Sequence, residues 1–249
     1  MHSVTTHVAV AAASAALALW LRDRLYRRAR TSHGGSVAFL PMESLPPDPY
    51  ELLNLWIADA EAAAGYLEAH AMTIATCDAV GGATARTVVL QLAGEQHGGL
   101  LFGSNRHSLK ARQAAADERA ECVLRFGQRQ VRVRGALRLV DSKAALSFSR
   151  VAPAARVGLS ILEQGNQIDE ATHRTLAVRI DQLLTDKHEA TLVEPPPSYT
   201  AFVLTPATIE FYSGGHPAYL NDRFLYVRAA TSTPPTPGCS FAEPIRLQA

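Results

Sequence analysis

The hydrophobic and polar positions of the chain follow three regimes. Val8 to Leu21, VAVAAASAALALWL, is a continuous apolar run. Leu52, Leu53, Trp56, Ile57, Ala60, Ala64 and Leu67 then recur at helical spacing and form one apolar face. Just before them, Asp48-Pro49-Tyr50-Glu51 supplies a capping side chain, a proline for the first helical position and a glutamate three residues after the cap. A helix is therefore expected from Asp48 to about Leu67. From Met72 the period shortens: MTIATCD, ARTVVLQL and LLFGS, separated by glycine turns at Gly81-Gly82 and Gly98-Gly99, predict a β-meander.

A short helix is expected from about Ser108 to Ala116. Strands resume with ECVLRF and QVRVRGALRLV, in which Gly135 marks a bulge or bend. Residues 141–150 and 171–185 have helical character, the second with Leu176, Ile180, Leu183 and Leu184 on one side and the prolines Pro195 to Pro197 closing it. YTAFVLTPATIEFYSG and DRFLYVR are expected as strands about a turn at Gly214-Gly215. Many antiparallel strands, few helices and no βαβ alternation predict an α+β fold built on a β-barrel, not a Rossmann sheet.

The organisation is a targeting or anchoring segment at 1–30, a linker at 31–46 containing Gly34, Gly35, Pro41 and Pro46, and a folded domain at 47–249. The apolar run is followed by RDRLYRRAR, with five arginines and one aspartate. It is shorter than the roughly 20 residues a spanning helix needs, and MHSVTTH before it lacks the Lys or Arg of a secretory signal. Three readings stay open: a short membrane anchor, an Arg-rich organelle transit peptide, or a dispensable amphipathic extension. The folded domain itself is expected in the cytoplasm.

Composition narrows the chemistry. With 47% hydrophobic and 19% charged residues, the chain has ample material for a core. A net charge of +1 carries no basic footprint, so a nucleic-acid partner is not expected. Cys77, Cys122 and Cys239 lie far apart with no CxxC pair, so neither a zinc site nor a disulfide framework is signalled, and buried free thiols are expected. GxSxG, P-loop, HExxH and GxGxxG motifs are absent, and the histidines never pair at metal-ligand spacing. What does stand out is polar: Arg86 opens TVVLQL, Gln91 sits near its end, Ser104 and Lys110 flank a strand-to-helix connection, and Gln130 begins a long strand. By pattern alone these serve equally as strand-end and surface groups. As a functional set, a cationic Arg and Lys with a hydroxyl near a helix start suit a phosphate, and a glutamine amide suits the edge of a polar ring.

From Asp48 onward the chain resembles the pyridoxamine 5'-phosphate oxidase family. DPYELLNLWIADAEAA and AMTIATCD resemble its first helix and strand, ARTVVLQ its R-x-V-L-L-K strand, and GSNRHSLKARQ its T-N-x-x-S-R-K-x-x-Q connection. RQVRVRGALRL, IEFYSGG with LNDRFLY, and IRLQA are similar to the family's later strand, hairpin and terminal motifs. The resemblance implies an FMN-binding split β-barrel with peripheral helices, whose homodimer holds FMN at the interface and acts on a small molecule. It also implies that Arg86, Ser104 and Lys110 hold the FMN phosphate, that Thr87, Val88, Val89 and Gln91 line the flavin, and that Gln130, Gln164, Tyr212 and Arg223 complete the cofactor site. No catalytic side chain and no metal are implied.

The substrate side departs from the pattern. The arginine of the S-R-K triplet is Leu109, the strand lysine is Gln91, and R-x-H-D-R becomes Tyr219-Leu220-Asn221-Asp222-Arg223. The Y-x-x-x-R-x-x-x-S phosphate grip appears as SFSRVAPAA, with Arg150 a displaced cation. Gln91, Arg150, Tyr219 and Asn221 are the substrate-side candidates. Three functions follow: an FMN oxidase of another substrate, close to the phenazine-biosynthesis branch that also lacks the strand lysine and the triplet arginine; the vitamin B6 salvage enzyme with a rearranged grip; or a non-catalytic flavin-binding protein.

Overall fold

A computed structural model describes residues 41–78, 80, 82–162, 167–185, 194–214, 221–229 and 240–248. Helix α1 (Pro49–Ala64) starts where the sequence places it, because the Asp48 carboxylate accepts from the Tyr50 backbone N–H at 2.9 Å. It ends earlier than expected. Gly65, at φ 85°, breaks the helix, and a separate turn, α2 (Tyr66–His70), follows.

The strands are β1 (Ala71–Cys77), β2 (Ala83–Val89), β3 (Leu92–Gly94), β4 (Gly99–Asn105), β5 (Arg119–Phe126), β6 (Arg129–Leu139), β7 (Tyr199–Ser213), β8 (Asp222–Val227) and β9 (Ile245–Arg246). All pairings are antiparallel, in the order β2-β1-β5-β6-β7-β4-β3. The two ends of that order are one continuous stretch of chain. The Leu90 N–H bonds His70 O on the β1 side, and the next N–H, of Gln91, bonds Leu101 O on β4. The stretch thus changes partner at Leu90-Gln91, and the sheet closes on itself as a barrel with β8 and β9 as an extension from β7.

Strand β7 serves both units: its first half pairs with β4, its second with β8, and β6 runs along the whole. The register slips between Arg134 and Gly135, so that Gly135 faces Pro206 while Arg134 faces Thr208, and Ala207 is the extra residue. The expected bulge is present, and it lets a proline sit in a central strand. A Cβ at Gly135 would overlap the Thr205 carbonyl, which is why glycine stands there.

Around the barrel lie α3 (Leu109–Ala116), α4 (Ala144–Ser149), α5 (Pro153–Ile161) and α6 (Glu170–Thr185). Helices α3, α4 and α6 match the expected ones closely. Helix α5 was not anticipated; its sequence signal is Pro153 in the first turn. Trp56, Met72, Ile74, Leu100, Phe102, Leu124, Val131, Phe202, Leu204, Ile209, Phe211 and Tyr226 fill one core on which α1 packs, with Trp56 edge-on to Phe211 at 5.2 Å. Each such side chain contributes about 1.5–3 kcal/mol on burial. The end of the linker is part of this body: Met42 and Leu45 pack on the core and Tyr226 donates to Pro46 O at 2.9 Å. Cys122 is buried as expected, which pushes its thiol pKa up, while Cys77 is half-buried. Cys239, Gly81, Gly215 and residues 1–40 lie outside the described residues. No helix among the described residues is long and apolar enough to cross a membrane.

Candidate functional site

Strand β2 presents Arg86 beside the start of α3. The Arg86 Nη1 donates to Thr76 Oγ1 at 2.7 Å and Ile74 O at 3.3 Å, and Nη2 to Thr84 Oγ1 at 2.5 Å and Gln113 Oε1 at 3.4 Å. Helix α3 adds Lys110, whose Nζ donates to Ser104 Oγ at 2.7 Å and Ser108 Oγ at 3.2 Å. Lys110 is only 6% exposed. Burial, and then the neighbouring Arg86 charge, push its pKa down to about 8, and burial lowers that of Arg86 too.

Among the described residues neither cation has a carboxylate partner; all their acceptors are hydroxyls, an amide and a carbonyl. Two adjacent cations in a recess of neutral acceptors are an incomplete charge arrangement, and an anion with several oxygens completes it. The donor set fits a phosphate monoester. Arg86, Ser104 and Lys110, drawn from distant parts of the sequence, are thus brought together as expected. Thr76, Thr84 and Gln113 belong to the same cluster and were not singled out, although Gln113 closes the quoted GSNRHSLKARQ motif.

Further along the same stretch the surface is open: Thr87 and Val89 are exposed and Val88 is half-buried against the core. At its end Gln91 Oε1 accepts from Ser147 Oγ at 2.5 Å, and Ser147 Oγ lies 2.8 Å from Tyr199 Oη. Because the Ser147 proton goes to Gln91, the tyrosine hydroxyl donates to Ser147. Burial raises the Tyr199 pKa, which keeps it a neutral donor. A Cβ at Gly103 would overlap the Tyr199 hydroxyl, so glycine there makes room for this chain of hydrogen bonds. Neither Ser147 nor Tyr199 was anticipated, because nothing local in sequence marks them as partners of Gln91. Arg150, one turn after Ser147, is exposed and its guanidinium has no partner among the described residues.

Gln130, Tyr212 and Arg223 form one cross-strand row over β6, β7 and β8, Gln130 opposite Tyr212 and Tyr212 opposite Arg223. Arg223 pairs with Glu210, Nη2 to Oε2, at 2.9 Å. No hydrogen bond or ion pair joins this row to the Arg86–Lys110 cluster, so the expected cofactor residues fall into two groups within one chain. Asn221 precedes β8 and is half-buried; Gln164 and Tyr219 lie outside the described residues.

A closed antiparallel barrel whose strand β2 and helix α3 bring Arg86 and Lys110 together among neutral partners defines a class of barrels suited to a phosphate-bearing ligand, and comparison with known proteins narrows it. The chain is 33% identical over 183 residues to a pyridoxine/pyridoxamine 5'-phosphate oxidase of Gloeothece citriformis, covering 72% of this chain and 82% of that one. It is 31% identical over 187 residues to the enzyme of the same name from Rhodopirellula baltica, covering 73% and 81%. The chain belongs to the pyridoxine/pyridoxamine 5'-phosphate oxidase family. Among solved structures it superposes on PhzG of Burkholderia lata 383, solved with tetrahydrophenazine-1-carboxylic acid, with a TM-score of 0.68 at 20% identity, covering 87% of this chain and all of that one. A pyridoxamine 5'-phosphate oxidase-related, FMN-binding protein of Nostoc punctiforme gives 0.63 at 18% identity, covering 82% of this chain and all of that one. No family model matches the chain. The fold is the FMN-binding split β-barrel, the cofactor is FMN, and the protein is an FMN-dependent oxidoreductase.

Proposed function

We propose that this protein is an FMN-dependent oxidase of a small molecule other than pyridoxamine 5'-phosphate. The observation that carries this reading is the contrast within one stretch of chain: the cationic recess at Arg86 and Lys110 is kept, while Gln91 is tied into the neutral chain with Ser147 and Tyr199. A substrate phosphate dianion needs cations, and that end of the stretch offers amide and hydroxyl dipoles.

Arg86, Lys110 and Ser104 would bind the FMN phosphate, with Thr87, Val88, Val89 and Gln91 along the flavin. Bound there, FMN supplies a two-electron acceptor for hydride transfer. The protein's task is then to orient the donor C–H or N–H and to exclude water. The substrate loses two electrons and two protons; O2 takes both pairs and leaves as H2O2. Gln130, Tyr212 and Arg223, separate from the phosphate recess within one chain, would complete the site of a second copy, giving a homodimer with two FMN molecules at its interface. Gln164, Arg150, Tyr219 and Asn221 belong to the same proposal. The folded domain, 47–249, would act in the cytoplasm, with residues 1–30 a membrane anchor or a dispensable extension, unless they serve as an organelle transit peptide.

The vitamin B6 oxidase itself is the second reading, favoured by the 33% identity to a relative of that name. A colourless protein that FMN cannot reconstitute would point to a scaffold without flavin chemistry. The test is the visible spectrum of the purified chain, with peroxide release measured on pyridoxamine 5'-phosphate and on a dihydrophenazine-type donor. Peroxide from the second donor and not the first is expected; efficient turnover of pyridoxamine 5'-phosphate would sink the main reading.

A further inference from the structure

Arg86 and Lys110 repel each other across the recess, and no acidic side chain among the described residues bonds either one. Something must hold a flexible arginine in that position when solvent is the alternative. Gln113 has the geometry for it. It is 3% exposed and stands three residues after Lys110, on the same face of α3. Its Oε1 accepts from Thr76 Oγ1 at 2.6 Å and Thr84 Oγ1 at 2.9 Å, with Arg86 Nη2 at 3.4 Å. Arginine only donates, so the amide atom facing it is the oxygen. With their protons drawn to Gln113, both threonine hydroxyls turn lone pairs to Arg86 and take one proton each from Nη1 and Nη2. All four Nη protons are spent inside the protein, and Nε–H is the donor that remains.

We propose that Gln113 is a positioning residue for the phosphate recess: its neutral amide oxygen holds Arg86 beside Lys110 without cancelling either charge, and so sets the preference for FMN over riboflavin. A carboxylate could hold Arg86 equally well but would neutralise it; an aliphatic side chain would leave it free to swing away. This inference rests on the cofactor reading above, and the test separates the two.

The apoprotein of the full chain and its Gln113→Leu variant are titrated with FMN and with riboflavin across pH 6.5 to 9.5. The variant should lose about tenfold or more in FMN affinity, the worth of well-placed charged hydrogen bonds, with riboflavin affinity little changed. The pH at which FMN affinity declines should also move upward, since Lys110 no longer has Arg86 held against it. A purely structural role would weaken both flavins alike and leave the pH limb in place; that result, or an unchanged FMN-to-riboflavin ratio, overturns the proposal. Should the leucine variant not fold, Thr84→Val removes one of the two hydroxyls and must lower the same ratio. If the wild-type chain binds neither flavin, the cofactor reading fails. The inference is then read from inorganic phosphate, which must raise the melting temperature of the wild type more than that of the variant, or it falls too.

Discussion

The two ends of the Arg86–Gln91 stretch solve opposite electrostatic problems. At Arg86 and Lys110 the protein buries charge and leaves it uncompensated, using only hydroxyls and an amide as partners. At Gln91 it brings three polar groups together so that each satisfies the next and none is charged. The first arrangement costs stability until an anion arrives; the second stabilises the empty fold and offers an anion little. A residue's place on a strand therefore says less about its role than whether its partners finish its charge.

Removing Arg86 is expected to have the largest effect. Arg86→Ala should weaken FMN by about 100-fold, the upper range for charged hydrogen bonds, and abolish the thermal stabilisation that FMN gives. Equilibrium titration and melting curves with and without FMN check this, and full flavin occupancy in the variant would end the assignment of the recess. Next comes Lys110→Met, for which two signs are opposed. FMN should weaken about tenfold while the apoprotein gains about 1 kcal/mol, because a desolvated ammonium beside Arg86 is removed. If the apoprotein loses stability instead, the two ends of the stretch are not as different as described.

The pH dependence sharpens the same point. Between about 8 and the ordinary lysine value of 10.5, the folded apoprotein sheds the Lys110 proton while the unfolded chain keeps it. The unfolded state then binds more protons, so apoprotein stability should rise with pH across that window. FMN affinity should fall across the same window as the recess loses a charge. Denaturant melts and flavin titrations at pH 7, 8 and 9 would show the two trends crossing. Smallest is Tyr199→Phe, which strands the Ser147 acceptor: a loss of about 1 kcal/mol in stability with FMN affinity unchanged. A matching loss of FMN would mean that the neutral end also supports the cofactor.

Much of this was legible in the sequence because it is local. Asp48-Pro49 marks a helix start by backbone chemistry, Arg86 and Ser104 stand out as polar groups in apolar strands, and Lys110 follows at the strand-to-helix connection. What escaped is set by pairing. Thr76 meets Thr84 through the β1–β2 register, and Gln113 reaches both only because α3 folds back on β1. Ser147 and Tyr199 are far from Gln91 in sequence and look like ordinary helix and strand residues. The helix break at Gly65 was missed because Leu67 continues the apolar spacing past a residue whose positive φ ends the helix.

The extra residue at Ala207 works as a half-period phase shift. Before it, the even-numbered Phe202 and Leu204 point into the core; after it, the odd-numbered Ile209 and Phe211 do. Had β7 kept one count throughout, Glu210 and Tyr212 would point where Ile209 and Phe211 now pack, and Tyr212 would leave its row with Gln130 and Arg223. The Gln130–Tyr212–Arg223 row thus depends on one inserted residue at a place that never touches it: the same later sequence, read without that extra count, would present its opposite face.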